Sequence, residues 1–469
     1  MHFLKYSAFL LVFLAVQGLA AQGVHPYLHH NERDRDSTEA AETLQQFFRN
    51  GTLFGHARYF FMHTDNAPGL SDYFANAFGM GIAYESAPYK GFQLGLSGFF
   101  NYNLYSSPLD QPDPRTGQMN RYEIGIFDIE RPAETRDMDR LEDLYLKYTY
   151  RKTQFVFGKQ HVKTPFINPQ DGRMRPTLVE GLQFRLQEWE KLEVQGGLLY
   201  NLSPRSTVRW FRIGESIGVY PKGQNTLGEP AFYKGKISSD YLGFIGFRYK
   251  PIPNLELQLW DMYVDQLMNN VLLQADYSFA TNRIRWRIGA QAILQDGVGG
   301  NALSHDYLLP NHQARVYGVR LGFDLPSSWQ FTANYTRIAD RHRYLMPREW
   351  GRDPMFTFLP RERNEGFADV HAASLVIKKQ LSSRWIVSSG TGYYRLPDPA
   401  DAFRNKYAMP AYYQINLDAL YNFGGLFEGL SGQILYVYKG PTGATPKNER
   451  WVFNKVNMSL LNVVLNYHF

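Results

Sequence analysis

Arg283, Arg285 and Arg287 occupy alternate positions in a segment whose other phase reads Ile284, Trp286, Ile288, Ala290, Ala292 and Leu294. Alternate side chains of a strand point to opposite faces. The spacing therefore predicts three guanidinium groups on one face, together with Gln291 and Gln295. A guanidinium stays charged at any relevant pH and presents a planar fork suited to a carboxylate. The same phase argument turns Lys147, Arg185, Arg248 and Arg320 onto equivalent faces, and Arg58 on the first predicted strand fits the same basic wall. Lining a water-filled passage, such a row would concentrate anions and guide solutes bearing a carboxylate. The other reading is that these cations pair with Asp143, Glu193 and Asp276 and hold strands together. Pairing alone does not need three arginines on one face.

Other chemistry is poorly supported. Gly214-Glu215-Ser216-Ile217-Gly218 fits the nucleophile elbow of hydrolases, but no strand-turn-helix context surrounds it, and we read it as an accidental match. The nearest Ser/His pair on a rim is Ser304-His305, which a barrel hydrolase would need. Glu188 and Glu190 read as solvated charges at a turn. His25, His29 and His30 could bind a metal, yet no carboxylate spacing completes a site, so a solvated tail is the simpler reading. The chain has no cysteine, which removes disulfides and thiol chemistry. A net charge of +6 over 469 residues is too dispersed to argue for nucleic acid. The expectation is a non-enzyme without cofactor or metal.

The elements that carry these residues are strands. An aromatic share of 16% rules out a disordered chain. Phe92, Leu94, Leu96, Phe100 and Tyr102 alternate with Gln93, Ser97 and Asn101. Leu144, Leu146, Tyr148 and Tyr150 alternate with Asp143, Lys147 and Thr149, and Tyr413 to Phe423 alternate with Gln414, Asn416, Asp418 and Asn422. An oily face recurring on every segment fits lipid outside and a polar lumen inside. Strands are predicted near 57–63, 76–85, 92–102, 141–151, 153–160, 179–188, 192–200, 241–250, 255–264, 270–279, 284–294, 313–324, 329–337, 367–379, 384–394, 411–422, 431–439 and 457–469. Short turns alternate with mostly long polar segments, such as Asn103–Arg140, His161–Leu178, Asn201–Asp240 and Ala339–Gly366. The fold class is thus all-β: a transmembrane antiparallel β-barrel of about eighteen strands, wide enough for an aqueous channel.

The termini fit an exported barrel. Met1 to Gln22 has the cation, short apolar run and small residues of a signal peptide over 1–21. Residues 22–50 read as a periplasmic segment, with Asp36-Ser37-Thr38-Glu39 resembling a helix cap, and 51–469 as the barrel with long external loops. Leu461, Val463, Leu465, Tyr467 and Phe469 alternate to a terminal aromatic, a pattern similar to the C-terminal signal of bacterial outer-membrane barrels. That implies insertion by the barrel assembly machinery.

Phe157-Gly158-Lys159-Gln160, Thr164-Pro165-Phe166 and Arg173-Met174-Arg175-Pro176-Thr177-Leu178-Val179-Glu180-Gly181 resemble the run around the third external loop of the OprD family of outer-membrane specific porins. Gly51–Arg58, the terminal Phe469 and the stretch Trp350–Gly366 agree with that resemblance. It implies an eighteen-stranded monomer narrowed by inward-folded loops, with an Arg/Lys ladder for amino acids, small organic acids or peptides. It also places the third external loop inside the barrel, with Asp171, Arg173 and Arg175 at the constriction. Asp171-Gly172 would form a turn equally well. The expected function is passive diffusion of small hydrophilic solutes across the bacterial outer membrane. A non-selective general porin is the alternative, and a barrel hydrolase a more remote one.

Overall fold

A computed structural model describes residues 40–469 except 137, 170–171, 300–304 and 362. The predicted signal peptide, His25, His29, His30, the 36–39 cap, Asp171 and Ser304 lie outside the described residues. A short helix, α1 (Leu44–Arg49), leads in. Its cap is Thr43, whose hydroxyl accepts from Gln46 N while the Gln46 side chain reaches back to the Thr43 N–H. This reciprocal capping box satisfies two otherwise orphaned donors.

The strands follow. They are β1 (Thr52–Asp65), β2 (Tyr73–Glu85), β3 (Phe92–Ser106), β4 (Arg140–Tyr150), β5 (Thr153–Gln160), β6 (Leu178–Leu186) and β7 (Leu192–Ser203). A two-residue strand, β8 (Phe211–Arg212), sits in the next loop beside a short turn of helix, α2 (Ile213–Ser216). Then come β9 (Leu242–Ile252), β10 (Leu255–Val264), β11 (Met268–Thr281), β12 (Ile284–Gly297), β13 (Gln313–Asp324) and β14 (Trp329–Ile338). The last five are β15 (Val370–Gln380), β16 (Trp385–Arg395), β17 (Tyr412–Asn422), β18 (Leu430–Pro441) and β19 (Met458–His468). Each strand pairs antiparallel with its neighbour in sequence, β7 pairing with β9 across the β8 excursion. β1 pairs with β19 to close the sheet. Leaving β8 aside, eighteen strands form one closed barrel.

Every predicted strand lies on an observed one, and the observed strands mostly extend further toward the long-loop end. There, polar loop residues rather than lipid flank the strands, so the apolar alternation that located them fades. Eight short connections and both described ends of the chain lie at one end of the barrel. The long segments lie at the other, with 66–72 and 265–267 short exceptions. Asn282 and Arg283 form a two-residue turn with φ of 49° and 73°. Left-handed values at both positions match the twist of a tight hairpin.

The outward phase is apolar and exposed, as in Leu144, Leu146, Ile288, Leu321 and Leu417. In water this surface would cost about 25 cal/mol per Å². In hydrocarbon it costs nothing, which fits a band of lipid. The buried apolar core lies inside the long-loop half of the barrel. Loop residues such as Phe166, Ile217, Tyr344 and Trp350 pack there on inward residues including Leu199, Trp260 and Ile293.

The seam is fixed by Phe469 and Gly55. Gly55 N donates to Phe469 O at 2.7 Å and Phe469 N to Gly55 O at 3.0 Å. A Cβ on Gly55 would overlap the Phe469 ring. Replacing Gly55 with Val, or deleting Phe469, is expected to lower the yield of folded barrel. A folded barrel runs at a different position from its boiled form on a gel, which checks this. Leu465→Val, on the outward face, should leave the yield unchanged.

Candidate functional site: infolded loops and lumenal cations

The barrel is narrowed by loops that cross it. Residues 339–369 run along the inner wall from β12 to β19, and their hydrogen bonds mark the route. Phe356 N donates to Gln291 Oε1 (3.2 Å), Tyr394 OH to Thr357 O (2.9 Å) and Gln414 Nε2 to Pro360 O (2.8 Å). Lys439 Nζ then donates to Arg361 O (3.1 Å), and Arg361 Nη2 to Asn462 Oδ1 (2.9 Å). The wall residues are inward-phase polar groups of successive strands, so the alternation that builds the barrel also builds the track for this loop.

The loop 161–177 meets it from the other side. Asn168 N donates to Trp350 O (3.1 Å) and Asn168 Nδ2 to Arg352 O (3.0 Å), while Thr177 Oγ1 donates to Glu349 O (3.0 Å). Gly351, at φ 146°, permits the close approach to Asn168. The loop 204–241 locks the pair. Trp350 Nε1 donates to Ser216 Oγ (2.8 Å), and Gly218 N and Tyr220 N both donate to Glu349 Oε1 (3.0 and 2.8 Å). Ser216, the middle of the G-x-S-x-G match, is fully buried and spends its own proton on Ile213 O (2.7 Å). It is a latch between loops.

Three cations converge where the two infolded loops touch. Arg361 Nη1 donates to Gly172 O (2.9 Å), and Arg58 of β1 donates to Arg173 O (2.7 Å) and to Asn466 Oδ1 (2.6 Å). Burial pushes the Arg173 guanidinium down to about 9, with Arg361 adding repulsion. It is still protonated at neutral pH. The nearby carboxylate is Glu123, from the loop 107–139, which accepts from Thr64 Oγ1 (2.5 Å) and Asn120 Nδ2 (2.7 Å). Arg175, expected at the constriction with Arg173, donates to Met138 O (3.0 Å) and is almost wholly buried between loops. It anchors one loop to another, because a guanidinium between loops can satisfy carbonyls that water no longer reaches.

Sequence reasoning placed one loop in the lumen and missed that 339–369 joins it. The density of Arg348, Arg352, Arg361 and Arg363 around Trp350 was the available signal. It also missed Arg361, Lys439 and Glu123.

The remaining ladder candidates fall into groups nearer the short-turn end. Arg185 pairs with Glu193 (2.9 Å). Arg248 bridges Glu193 (3.5 Å) and Glu256 (3.4 Å), and Lys250 also reaches Glu256 (3.3 Å). A few strands further along the wall, Arg287 pairs with Asp324 (2.8 Å). Arg320 lies 3.8 Å from Asp276 and stacks over the Phe356 ring of the infolded loop. Arg285 is exposed and touches Ser278 Oγ at 3.5 Å. Lys147 pairs with Glu85 (2.6 Å) on β2. Arg283 departs from the expected phase: it belongs to the exposed two-residue turn, where strand alternation no longer applies.

A closed eighteen-strand antiparallel barrel, a lipid-ready outer band and infolded loops define an outer-membrane porin. The family model "outer membrane porin, OprD family" matches residues 91–342, more than half the chain, and the chain belongs to that family. Its members are channels rather than enzymes. Among solved structures, OccK9 (OpdG) of Pseudomonas aeruginosa is similar at TM-score 0.72 and 14% identity, covering 90% of this chain and 99% of that one. OccAB2 of Acinetobacter baumannii is similar at TM-score 0.69 and 13% identity, with the same coverage. OpdK of Pseudomonas aeruginosa is similar at TM-score 0.69 and 12% identity, again over 90% and 99%. No curated protein sequence matches the chain. The short turns therefore face the periplasm and the long loops the exterior.

Two predictions follow from the loop contacts. Trp350→Ala removes a fully buried ring worth about 3–5 kcal/mol of packing. It is expected to free the external loop and raise single-channel conductance in a planar bilayer. The second concerns Asp353 on the same loop. Burial raises its carboxyl to about 6, with Arg363 opposing and Glu365 adding to the rise. A raised value means the docked loop holds this proton more tightly than a loop released into water. Docking is then strongest below the ordinary carboxylate range and weakens as pH rises through about 6. Current noise should increase between pH 5 and 7, and Asp353→Asn should flatten that dependence.

Proposed function

We propose that this porin passes small carboxylate-bearing solutes by passive diffusion, without chemistry or cofactor, handing the anion between lumenal cations. The observation that carries this reading is the charge balance of each cation group. Arg185, Arg248 and Lys250 face two carboxylates, Glu193 and Glu256. Arg285, Arg287 and Arg320 face two, Asp276 and Asp324. Arg58, Arg173 and Arg361 gather where the two infolded loops touch, with Glu123 beside Arg173. Pairing and guidance are then not rivals: the carboxylates hold each group in place, and the surplus cation keeps the local potential positive. Fields are focused by low-dielectric walls, so a modest surplus still concentrates anions. Several weak stations also let the solute leave, which conduction requires. One relative, OpdK, was solved with vanillate, a carboxylate.

In this reading Arg283 joins the ladder only as a charge at the periplasmic mouth, and Lys147, tied to Glu85, stands apart from the three groups. The chain works as a monomer, delivered to the assembly machinery through its C-terminal strand.

The test is reversal potential under a salt gradient in a planar bilayer. The native channel should favour anions, and millimolar small carboxylates should block or permeate it. Arg285→Gln with Arg287→Gln should reduce anion preference by on the order of tenfold while the barrel stays folded. A folded double variant with unchanged selectivity would sink the ladder. Large openings indifferent to carboxylates would instead identify a general porin.

A further inference from the structure

The outer wall carries a second set of cations that solute passage does not use. On β13, β14 and β16 the outward phase includes Tyr317, Tyr335 and Tyr393, all exposed. One outward step closer to the external end of the same strands stand Arg315, Arg337 and Arg395. Two residues of strand rise about 6.8 Å. Tyrosine is the residue of the membrane interface, so these guanidiniums sit just beyond it, at headgroup depth.

Register draws the group together. Tyr317 opposes Arg337, Arg337 opposes His371 of β15, and His371 opposes Arg395. Adjacent strands lie about 4.8 Å apart. The row thus spans four strands, with the two arginine backbones roughly 10 Å from each other. Tyr335 OH is 2.8 Å from His371 Nδ1, which fixes the imidazole within the row. Two arginines of the row each hold a carboxylate. Arg315 binds Asp296 (2.8 Å) and Arg337 binds Asp369 (2.6 Å). Arg395 is exposed and, among the described residues, makes no hydrogen bond or ion pair. Arg341, at the start of the infolded loop, reaches Gln313 Oε1 (2.8 Å) and brings a further cation to the same rim.

A charged side chain on the lipid face is costly near the midplane and cheap only near the interface. Three arginines on alternating outward positions, one of them unpaired, call for an anion at that depth. We infer that the outward row Arg315, Arg337, His371 and Arg395 is a binding site for the phosphate groups of an anionic glycolipid in the external leaflet. The guanidinium fork takes phosphate oxygens in pairs. The tyrosines and the apolar band below them, Val319, Leu321, Leu375 and Ala373, then lie against the acyl chains. The site faces away from the lumen, so it is independent of what the channel carries.

Native mass spectrometry of the full chain in detergent, titrated with lipid A, tests the assignment. Diphosphorylated lipid A should remain bound at concentrations where the dephosphorylated form does not. Each basic residue near a charged surface contributes enough that Arg395→Gln should weaken binding roughly fivefold, and Arg337→Gln with Arg395→Gln roughly 25-fold. Arg337→Gln also releases Asp369, so the single Arg395→Gln, at an exposed unpaired site, serves as the variant free of folding effects. Lys379→Gln, outward at the periplasmic end of β15, should change nothing. Equal binding of the two lipids, or unchanged affinity in Arg395→Gln, would overturn the site. So would displacement of the lipid by millimolar inorganic phosphate alone, which would mark a free-anion site instead.

Discussion

A strand in hydrocarbon can send its N–H and C=O groups only to another strand, and an unpaired group there costs several kcal/mol. The rest of this molecule follows from that constraint. The sheet cannot stop at an edge, so β1 must find β19, and the seam is carried through to the Gly55–Phe469 pair. Closure with eighteen strands makes a lumen too wide for side chains to fill. Something else must narrow it, and the external loops do.

Folding a loop into a lumen carries its own demand, because backbone groups taken from water need partners. The inner wall supplies them from the polar phase of each strand. Gln291, Gln414, Asn416, Asn462 and Lys439 act as rungs for a loop that has no helix or strand among its described residues. Where the loops meet, the buried Trp350 and Glu349 tie groups of two other loops, 161–177 and 204–241, to their own. Ionised groups persist in this interior by pairing. Burial alone would raise Glu365, yet Lys406 and Arg348 outweigh it and hold its carboxyl below the ordinary range. The same logic governs the lumenal arginines, where paired carboxylates lower the cost of keeping three cations close and leave a remainder of positive charge.

Alternation has two consequences, because a strand has two faces. Inward it gives the cation groups and the loop track. Outward it gives an apolar face with exposed tyrosines and, one outward step further on β13, β14 and β16, the arginines Arg315, Arg337 and Arg395. A residue's height and side are both set by counting along the strand, so the same residue type stands in the lumen at some positions and on the lipid face at others.

Counting is also what made the fold legible. Leu144, Leu146 and Tyr148 against Lys147, or Ile288 against Arg287, declare a face each, and short turns against long loops declare the topology. Lys147, Arg185, Arg248, Arg285, Arg287 and Arg320 could be assigned to strands for that reason. Arg283 could not, because the chain leaves the strand at Asn282 and alternation ends with it. Partnership was not legible either. That Arg248 would bridge Glu193 and Glu256, or that Arg58 would reach the carbonyl of Arg173, depends on register and on residues 115 positions apart. The sequence by itself determined the period-two strands, their number and the side each residue takes, because those depend only on local geometry and on which solvent each face meets. Tertiary structure decided which loops enter the lumen and which cations gather where they touch, because those contacts join loops that only closure of the barrel brings together.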